Sequence, residues 1–567
     1  MKTLDLVFLW HMHQPDYRDH GDTASEGEFM LPWVYLHAMK DYTDMAAHLE
    51  RHPGIKCVVN LVPVLLDQID DYCGQFAGGH FRDPLLRMLS TPDLGTISEG
   101  ERNLLLGTCF RSNHTTMLAP FPQYKRLHEL YQMLTAQGEG ACRYLSAEYF
   151  SDLVTWYHLA WCGETERRRN PLIARLMSQG EGYDADDRRQ LLASIGEMIS
   201  GLIPRWRALA ARGQVELSST PQTHPLAPLL LDFRVARESV PDAPLPYAAA
   251  YPGGRTRVRA HIDAAQASHA RHFGVAPAGM WPAEGAISTE FVGHLAGAGC
   301  RWIASGEGVL RNSLKASGID DPRAAYHPWR LDQAPGLTLF FRDERLSDLI
   351  GFDYAKWHGR DAAQHLVQQL KAILDSAGPD EHPVVSIILD GENAWEHFPY
   401  NGYYFFDDLY GLLAEHPDIR TTTYAELLAR EMPPAATTLP RLTAGSWVYG
   451  TLSTWIGDEA KNRGWDLLCE AKQSCDRVLA SGRLDAAQVA AVEKQLAICE
   501  SSDWFWWFGD YNPSAAVASF DGLYRRNLAR LYRLLQLEPP ASLATPICAG
   551  SETATGGSMR RVTASHS

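Results

Sequence analysis

The sequence predicts an α/β fold: an incomplete TIM-like barrel of seven parallel strands with a helical insertion, followed by an all-α C-terminal domain. Three observations lead to this prediction. Short apolar runs alternate with longer helical or loop segments along the first 390 positions, as in repeated βαβ units. One of these segments is far too long to be a connection. A linker rich in proline and threonine at 432–440 then precedes a pattern that is helical only.

The predicted strands are short runs of apolar, β-branched or aromatic residues that end in polar ones. They are Leu4–Trp10, Ile55–Val62, Gln214–Ser219, Ala278–Trp281, Trp302–Ser305, Leu337–Phe341 and Val384–Asp390. Seven strands with a long reach between the first and the last favour a closed or nearly closed barrel over a small open sheet.

The domain prediction follows from the breaks in this pattern. Residues 1–431 form the catalytic barrel, and the stretch from about 84 to 212 reads as helices inserted after the second strand. Residues 441–540 form a helical domain, because apolar residues such as Phe520, Leu523 and Tyr524 recur at three- and four-residue spacing. Residues 541–567 are mostly small and polar, so we expect a disordered tail.

Composition excludes several classes of protein. The 567 residues include 68 acidic and 52 basic ones, a net charge of -16, so nucleic acid and anionic membrane surfaces are unfavourable partners. The ten cysteines form no CxxC pair, which argues against structural zinc and a disulfide framework and favours a reducing cytoplasm. No apolar run reaches the roughly 18 residues of a membrane span.

Candidate functional residues follow the predicted strands, because reacting side chains of parallel barrels lie at the carboxyl ends of the strands. Those selected here are His11, His13, Gln14, Glu216, His224, Glu284, Arg342, Asp343, Asp390 and Glu392. Glu284 lies between a proline and a glycine that can present it on a tight turn. Asp390 has Glu392 and Glu396 close by, and like charges at this density raise the pKa of at least one carboxyl.

Each of these residues also has a plainer explanation. A single carboxylate can be a solvated loop charge or a helix cap, whereas two on neighbouring strands favour catalysis. His11 and His13 lie two apart on one strand and could ligate a metal, although binding of substrate hydroxyls is the preferred interpretation. The stretch from Arg342 to Asp348 can be a salt-bridge ladder or a sugar-binding segment.

Aromatic residues are abundant, with 16 Trp, 23 Tyr and 19 Phe, and flat rings suit neutral ligands such as sugars. In the helical domain Trp455, Trp465 and the cluster around Trp504 exceed what one helix face can bury. We expect some of these rings in the core and some at the rim of a cleft. Tyr247 to Arg257, with two glycines as a hinge, is the candidate lid.

These motifs resemble glycoside hydrolase family 57, whose members act on α-glucans. The similar blocks are His11 with His13-Gln14-Pro15, Gly213–Leu217 through His224-Pro225, Trp281–Ala286, Ile388–Asn393 and a fifth that includes Trp455 or Trp465. The resemblance implies a (β/α)7 barrel and a retaining mechanism, with Glu284 as nucleophile, Asp390 as general acid/base and no metal or other cofactor. The substrate ligands then expected are His11, His13, Gln14, Glu216, His224, Trp281, Arg342, Asp343, Glu392, Trp395, Trp455, Trp465 and Trp504.

The family includes amylases, amylopullulanases, 4-α-glucanotransferases and branching enzymes. The form of the block from Asp390 to Glu396 is similar to the amylase and amylopullulanase side. We therefore expect hydrolysis of α-1,4 bonds, with α-1,6 cleavage as an additional activity. A glucanotransferase or branching enzyme is the alternative, a metal-dependent barrel hydrolase a more distant one, and a non-catalytic glucan-binding protein is disfavoured by the two carboxylates.

Overall fold

A nearly closed barrel of seven parallel strands forms the centre of the computed structural model, which describes residues 2–21, 26–138, 140–554 and 557–559. The strands are β1 (Leu4–Met12), β2 (Cys57–Leu61), β3 (Val215–Ser218), β4 (Gly279–Met280), β5 (Trp302–Gly306), β6 (Ala334–Arg342) and β7 (Val384–Asp390). Each pairs with the next in chain order, and β7 pairs with β1. A single bridge, Ser219 to Met280, joins β3 to β4. The predicted fold is confirmed.

The strands are buried on both faces, which explains their continuous apolar runs. All nine residues of β1 and six of the seven in β7 are buried. Alternate side chains, among them Val7, Leu9, Trp302 and Phe340, fill the barrel interior, and the others pack against the surrounding helices. The strand Ile419–Thr421 pairs with the first residues of β1 and closes the amino-terminal end of the sheet.

Helices surround the barrel and make up the long insertion. Those beside the barrel are Trp33–His37, Thr43–Arg51, Pro63–Gly78, Ala227–Leu231, Ala236–Ser239, Gly254–Phe273, Thr289–Gly297, Glu307–Ser317, Glu344–Asp348, Gly359–Ser376, Tyr403–Ala414 and Tyr424–Leu428. Those of the insertion are Pro84–Ser90, Glu99–Thr108, Pro122–Thr135, Ala147–Ala160, Glu164–Arg169, Pro171–Gln179 and Ala185–Ala211. The four remaining short strands are Arg18–Asp19, Glu28–Phe29, Trp329–Leu331 and Thr437–Thr438.

The C-terminal region is helical. Its helices are Glu459–Ala480, Ala486–Cys499, Ser502–Trp507 and Ser514–Leu534. The segment after residue 540, expected to be a disordered tail, packs here as far as it is described: Leu543 is buried, and the N–H of Ile547 donates to Asp521. Leu543 and Ile547 are apolar residues in a segment of mostly small and polar side chains, and they cover part of the helix Ser514–Leu534. Residues 560–567 lie outside the described part.

Among the described residues, no helix combines the length and the apolar character of a membrane span.

Candidate active site

A cavity of about 480 Å³ opens where the carboxyl ends of β1, β4 and β7 face the helical region. Seven of the predicted site residues line it: His11, His13, Gln14, His224, Glu284, Asp390 and Glu392. The register explains part of this convergence, because His11 of β1 lies opposite Asn60 of β2 and Asp390 of β7. Ten further lining residues come from the last 125 residues, among them Trp447, Asp503, Trp506 and Trp507.

Glu284 lies on a strained turn just after β4. Its backbone is left-handed, with φ 58° and ψ 22°, a conformation that side chains of this size rarely adopt. The backbone N–H of Trp447 donates to the Glu284 carbonyl at 3.0 Å, and Gly285 follows with φ 57°. A Cβ on Gly285 would lie 2.8 Å from the ring of Trp281, so only glycine fits there. The turn therefore aims the Glu284 carboxyl into the cavity.

The Glu284 carboxyl accepts two hydrogen bonds, from Nε1 of Trp447 at 3.0 Å and from the hydroxyl of Ser502 at 3.4 Å. Burial, followed by the charges of Asp503 and Asp390, raises the pKa of Glu284 to about 8, against the opposing effect of the two hydrogen bonds. An ionised Glu284 is thus costly in the free protein.

Asp390 is the last residue of β7. The N–H of the following Gly391 donates to the carbonyl of His11, which fixes the loop against β1. Asn393 donates to one carboxylate oxygen of Asp390 at 2.9 Å. Burial raises the pKa of Asp390 to about 6, with hydrogen bonding by Asn393 as the largest opposing effect. Each of the two carboxyls therefore titrates within reach of neutral pH.

Three histidines lie beside these carboxyls. Nδ1 of His11 lies 2.7 Å from Asn60, and its Nε2 lies 3.1 Å from Nε2 of His224. Burial lowers the pKa of His11 to about 3, and burial together with the neighbouring histidines lowers the pKa of His224 well below its usual value. Both rings are therefore neutral at pH 7, and their nitrogens have partners within the protein, since Nδ1 of His224 lies 2.8 Å from the Ser502 hydroxyl.

His13, His224 and Asp503 have donor atoms within 4.8 Å of one another, the single such group of three among the described residues. However, the rings of His13 and His224 are stacked, with centroids 3.9 Å and planes 19° apart. The nitrogen lone pairs of two stacked rings lie in nearly parallel planes, whereas the lone pairs of two ligands of one ion must point at the same position. His11 already contacts Asn60 and His224 through its two nitrogens, so the His11 and His13 pair does not form a ligand pair either.

Eight of the predicted ligands lie outside the cavity: Glu216, Trp281, Arg342, Asp343, Trp395, Trp455, Trp465 and Trp504. The five tryptophans of this group are fully buried in the core. Glu216 lies within β3 rather than after it, where its carboxylate accepts from Trp302 and the N–H of Ala425. Packing against distant parts of the chain, which the sequence does not fix, places these side chains away from the cavity.

Arg342 and Asp343 have structural contacts. Arg342 donates to the Ile388 carbonyl and pairs with Asp348 at 3.1 Å, which ties β6 to β7. Asp343 caps the helix that starts at Glu344 by accepting from the N–H of Leu346. These contacts agree with the salt-bridge interpretation, while the Arg342 guanidinium also lies 5.6 Å from the ring of Trp447 in the cavity wall.

The candidate lid is docked rather than free. Asp466 accepts hydrogen bonds from the N–H groups of Tyr247 and Ala248, and the hydroxyl of Tyr251 contacts the buried Glu500. None of the residues from Tyr247 to Arg257, all of which are described, lines the cavity. This segment instead fastens the barrel side to the helical region.

Sequence reasoning missed Trp447 and Asp503. Asp503 lies on the helix Ser502–Trp507, and its carboxylate lies 2.9 Å from Nε2 of His13. Positions 503, 506 and 507 have the spacing of one helix face, and all three line the cavity, whereas Trp504 faces the core. Helical periodicity was therefore a usable signal for Asp503. Nothing local in the sequence marks Trp447.

Comparison with known proteins is consistent with this geometry. The sequence model of glycosyl hydrolase family 57 matches residues 7–440. A branching enzyme from Thermococcus kodakaraensis has a similar structure, with TM-score 0.58 and 16% identity over 94% of this chain and 90% of that one. A branching enzyme from Pyrococcus horikoshii has a TM-score of 0.54 and 16% identity over 97% of this chain and 99% of that one. The α-amylase AmyC from Thermotoga maritima has a TM-score of 0.55 and 13% identity over 94% of this chain and 93% of that one. No curated protein sequence matches.

Proposed function

The chain belongs to glycosyl hydrolase family 57, and we propose that it is a retaining α-glucan hydrolase that cleaves α-1,4-glucosidic bonds. The observation that carries this proposal is a pair of carboxyl groups, Glu284 and Asp390, that line one cavity beside the neutral His11 and His224. A double displacement at a sugar carbon requires two such carboxyls, one to attack and one to exchange a proton.

In the first step a carboxylate oxygen of Glu284 attacks the anomeric carbon, and the proton of Asp390 passes to the glycosidic oxygen. The leaving sugar departs as an alcohol. In the second step Asp390, now ionised, takes a proton from water, and the water oxygen displaces Glu284. Each displacement inverts the carbon, so the α configuration is retained, and Asp390 ends protonated as it began.

The position of one proton decides which carboxyl plays which part. With pKa values of about 8 for Glu284 and about 6 for Asp390, the pair holds one proton near neutral pH. In the free protein that order puts the proton on Glu284, whereas the proposed first step needs it on Asp390. Hydrogen bonds from Trp447 and Ser502 support the ionised form of Glu284. The opposite assignment of roles is the one that the pKa order favours, so it must be tested.

The remaining walls of the cavity suit a neutral, polyhydroxylated ligand. Trp506, Trp507 and Phe520 offer aromatic surface on the helical side, and Trp33 and Trp161 offer it on the other. Flat apolar rings favour stacking on sugar faces, and the carboxyl groups that line the same cavity can accept hydrogen bonds from sugar hydroxyls. An α-glucan chain is the ligand that these features fit best.

The acceptor in the second step separates hydrolysis from transfer. If a sugar hydroxyl replaces water, the same residues perform glucan transfer or branching. Products formed from maltoheptaose, amylose and pullulan distinguish these activities: shorter linear chains indicate hydrolysis, longer chains transfer, new α-1,6 bonds branching, and cleavage of pullulan an additional α-1,6 activity. Loss of all activity on exhaustive chelation would favour the metal-dependent alternative.

The roles of the carboxyls are tested by Asp390→Asn on an α-maltosyl fluoride. Fluoride leaves without a proton, so the variant should form the glycosyl-enzyme on Glu284 although it is nearly inactive on maltooligosaccharides. Azide needs no deprotonation and should release the intermediate as the α-glycosyl azide, after two inversions. Glu284→Ala with azide should give the β-azide by a single inversion.

Exchanged products would reverse the assignment: a β-azide from the Asp390 variant and an α-azide from the Glu284 variant make Asp390 the nucleophile. Equal loss of activity on fluoride and oligosaccharide, with no effect of azide, would remove Asp390 from the reaction and transfer the acid role to a neighbour such as Glu392.

We also propose a cytoplasmic location, since none of the ten cysteines, all within the described part of the chain, forms a disulfide.

A further inference from the structure

A group of exposed aromatic residues lies outside the cavity. Tyr400 is 56% exposed and Tyr404 47% exposed, and their ring centroids are 5.5 Å apart with planes at 89°. The guanidinium of Arg168 lies 4.2 Å from the ring of Tyr403 and 5.1 Å from that of Tyr404. We call these four residues the tyrosine patch. Singly exposed aromatic residues are common, whereas exposed rings in contact with each other form a contiguous apolar surface, and it is such surfaces that mark binding sites.

The backbone beneath the patch is strained. Tyr400 and Asn401 are both left-handed, with φ of 55° and 52°. For a residue as bulky as tyrosine this conformation is unfavourable and persists only where the surroundings hold it. The contacts of an exposed tyrosine contribute little free energy to offset the cost of such a turn. The strain therefore points to a function for what the turn presents.

Buried polar groups hold the turn in place. The side-chain carbonyl of Asn401 accepts from Lys40 at 2.8 Å, and its amide donates to Asp44 at 2.9 Å. Lys40 and Asp44 are almost completely buried, and Asp44 also accepts from the N–H groups of Glu164 and Thr165 at the start of a helix in the insertion. The barrel and the insertion are thus joined around the segment that carries Tyr400.

The patch is continuous in the chain with the wall of the cavity. Asn393 and Glu396, on the loop that follows Asp390, line the cavity, and Tyr400 lies four residues further on. Lys40, which holds Asn401, also lies 5.5 Å from the ring of Trp161 in the cavity wall. Four residues of chain span at most about 14 Å, so Tyr400 lies within the reach of a few sugar units from the cavity wall.

We propose that the tyrosine patch is a second binding site for α-glucan, at which a polymer rests while another part of it occupies the cavity. This inference rests on the proposed function. The charge of Arg168 is paired with Glu164 at 2.8 Å, so the patch offers stacking surface and hydroxyls rather than attraction for an anion. Two ring faces at right angles suit the curved α-linked chain better than a flat one.

The test compares long and short substrates in Tyr400→Ala, Tyr404→Ala and the double variant. Tyr247→Ala is the matched control, because Tyr247 is fully exposed and its side chain lies outside the patch and the cavity. We expect kcat/KM on maltoheptaose to stay near the wild-type value. KM for glycogen should rise about two- to tenfold for each ring removed, and migration through a glycogen-containing gel should no longer be retarded. Circular dichroism monitors folding.

Three outcomes would overturn the inference. The first is a double variant that glycogen retards as strongly as wild type and Tyr247→Ala. The second is a loss of activity on maltoheptaose as large as that on glycogen, which would make the segment a support of the catalytic loop. The third is elution as a smaller species in size exclusion, which would make the patch a contact between copies. Absence of activity on every α-glucan, by contrast, would refute the proposed function, whatever the gel shows.

Discussion

Trp447→Phe removes one hydrogen bond from Glu284 and keeps an aromatic ring in its place. In the protein, the indole Nε1–H of Trp447 donates to Oε2 of Glu284 at 3.0 Å, and its ring packs edge-on against Trp281 with centroids 5.2 Å apart. Phenylalanine keeps much of this packing and has no donor. The substitution therefore asks whether Glu284 reacts in its ionised form.

The size of the effect follows from the charge on the acceptor. A hydrogen bond to a charged group contributes about 1.5–3 kcal/mol, which corresponds to about 10- to 150-fold in an equilibrium. Without it the pKa of Glu284 rises above its value of about 8. The form with Glu284 ionised and the proton on Asp390 becomes rarer by that factor. We expect kcat/KM at neutral pH to fall equally, while the basic limb of the pH profile moves to higher pH.

The assay is kcat/KM on maltoheptaose across the pH range, with Trp281→Phe as control. The indole nitrogen of Trp281 has no hydrogen-bond partner among the described residues, so the control loses the same atoms without losing a bond. If Glu284 were the acid, its protonated form would be the reactive one, and Trp447→Phe would keep nearly the full rate. A rate within about twofold of the control would therefore refute the nucleophile assignment.

Two other substitutions separate activity from stability. Glu284→Gln should abolish turnover yet stabilise the fold. On folding, the pKa of Glu284 rises from its ordinary 4.5 to about 8, so the free energy of unfolding of the wild-type protein falls as pH increases between these values, by on the order of 1.4 kcal/mol for each pH unit. Unfolding midpoints of variant and wild type should coincide at pH 4 and diverge up to pH 9; equal midpoints throughout would contradict the burial argument. Trp455→Ala should cost about 3–5 kcal/mol in chemical denaturation, because Trp455 is fully buried and alanine would leave a cavity in its place; a raised KM with unchanged stability would return Trp455 to the cleft.

The barrel was predictable because its signals are local. Each strand is a short apolar run, and such runs are long enough to recognise without knowing what they pack against. The carboxyl end of a strand is also a local feature, so His11, Glu284 and Asp390 could be selected together. Glu216 shows the limit: the end of its strand was predicted to within one residue, but Glu216 lies inside the strand rather than after it, and its carboxylate binds Trp302 in the barrel interior.

The other half of the site depends on contacts between distant parts of the chain. Trp447 lies 163 residues from its partner Glu284, and Asp503 lies 490 from His13. Composition identified a helical region rich in tryptophan, but whether a given ring is buried depends on which helix face meets the barrel. Trp504 and Trp507 are three residues apart, and one lies in the core while the other lines the cavity.

The helical region therefore forms part of the wall of the candidate site rather than an appended domain. Asp503 is, after burial, the largest contribution to the raised pKa of Glu284, and Ser502 on the same helix opposes it through its hydroxyl. The N–H of Ser502 also donates to the carbonyl of His224 at 2.9 Å, where the backbone is left-handed. The charge of Asp503 on this helix thus raises the pKa of Glu284, which makes its ionised form more reactive. The hydroxyl of Ser502 on the same helix stabilises that ionised form by a hydrogen bond. The barrel supplies both carboxyls, but their pKa values depend on what covers them.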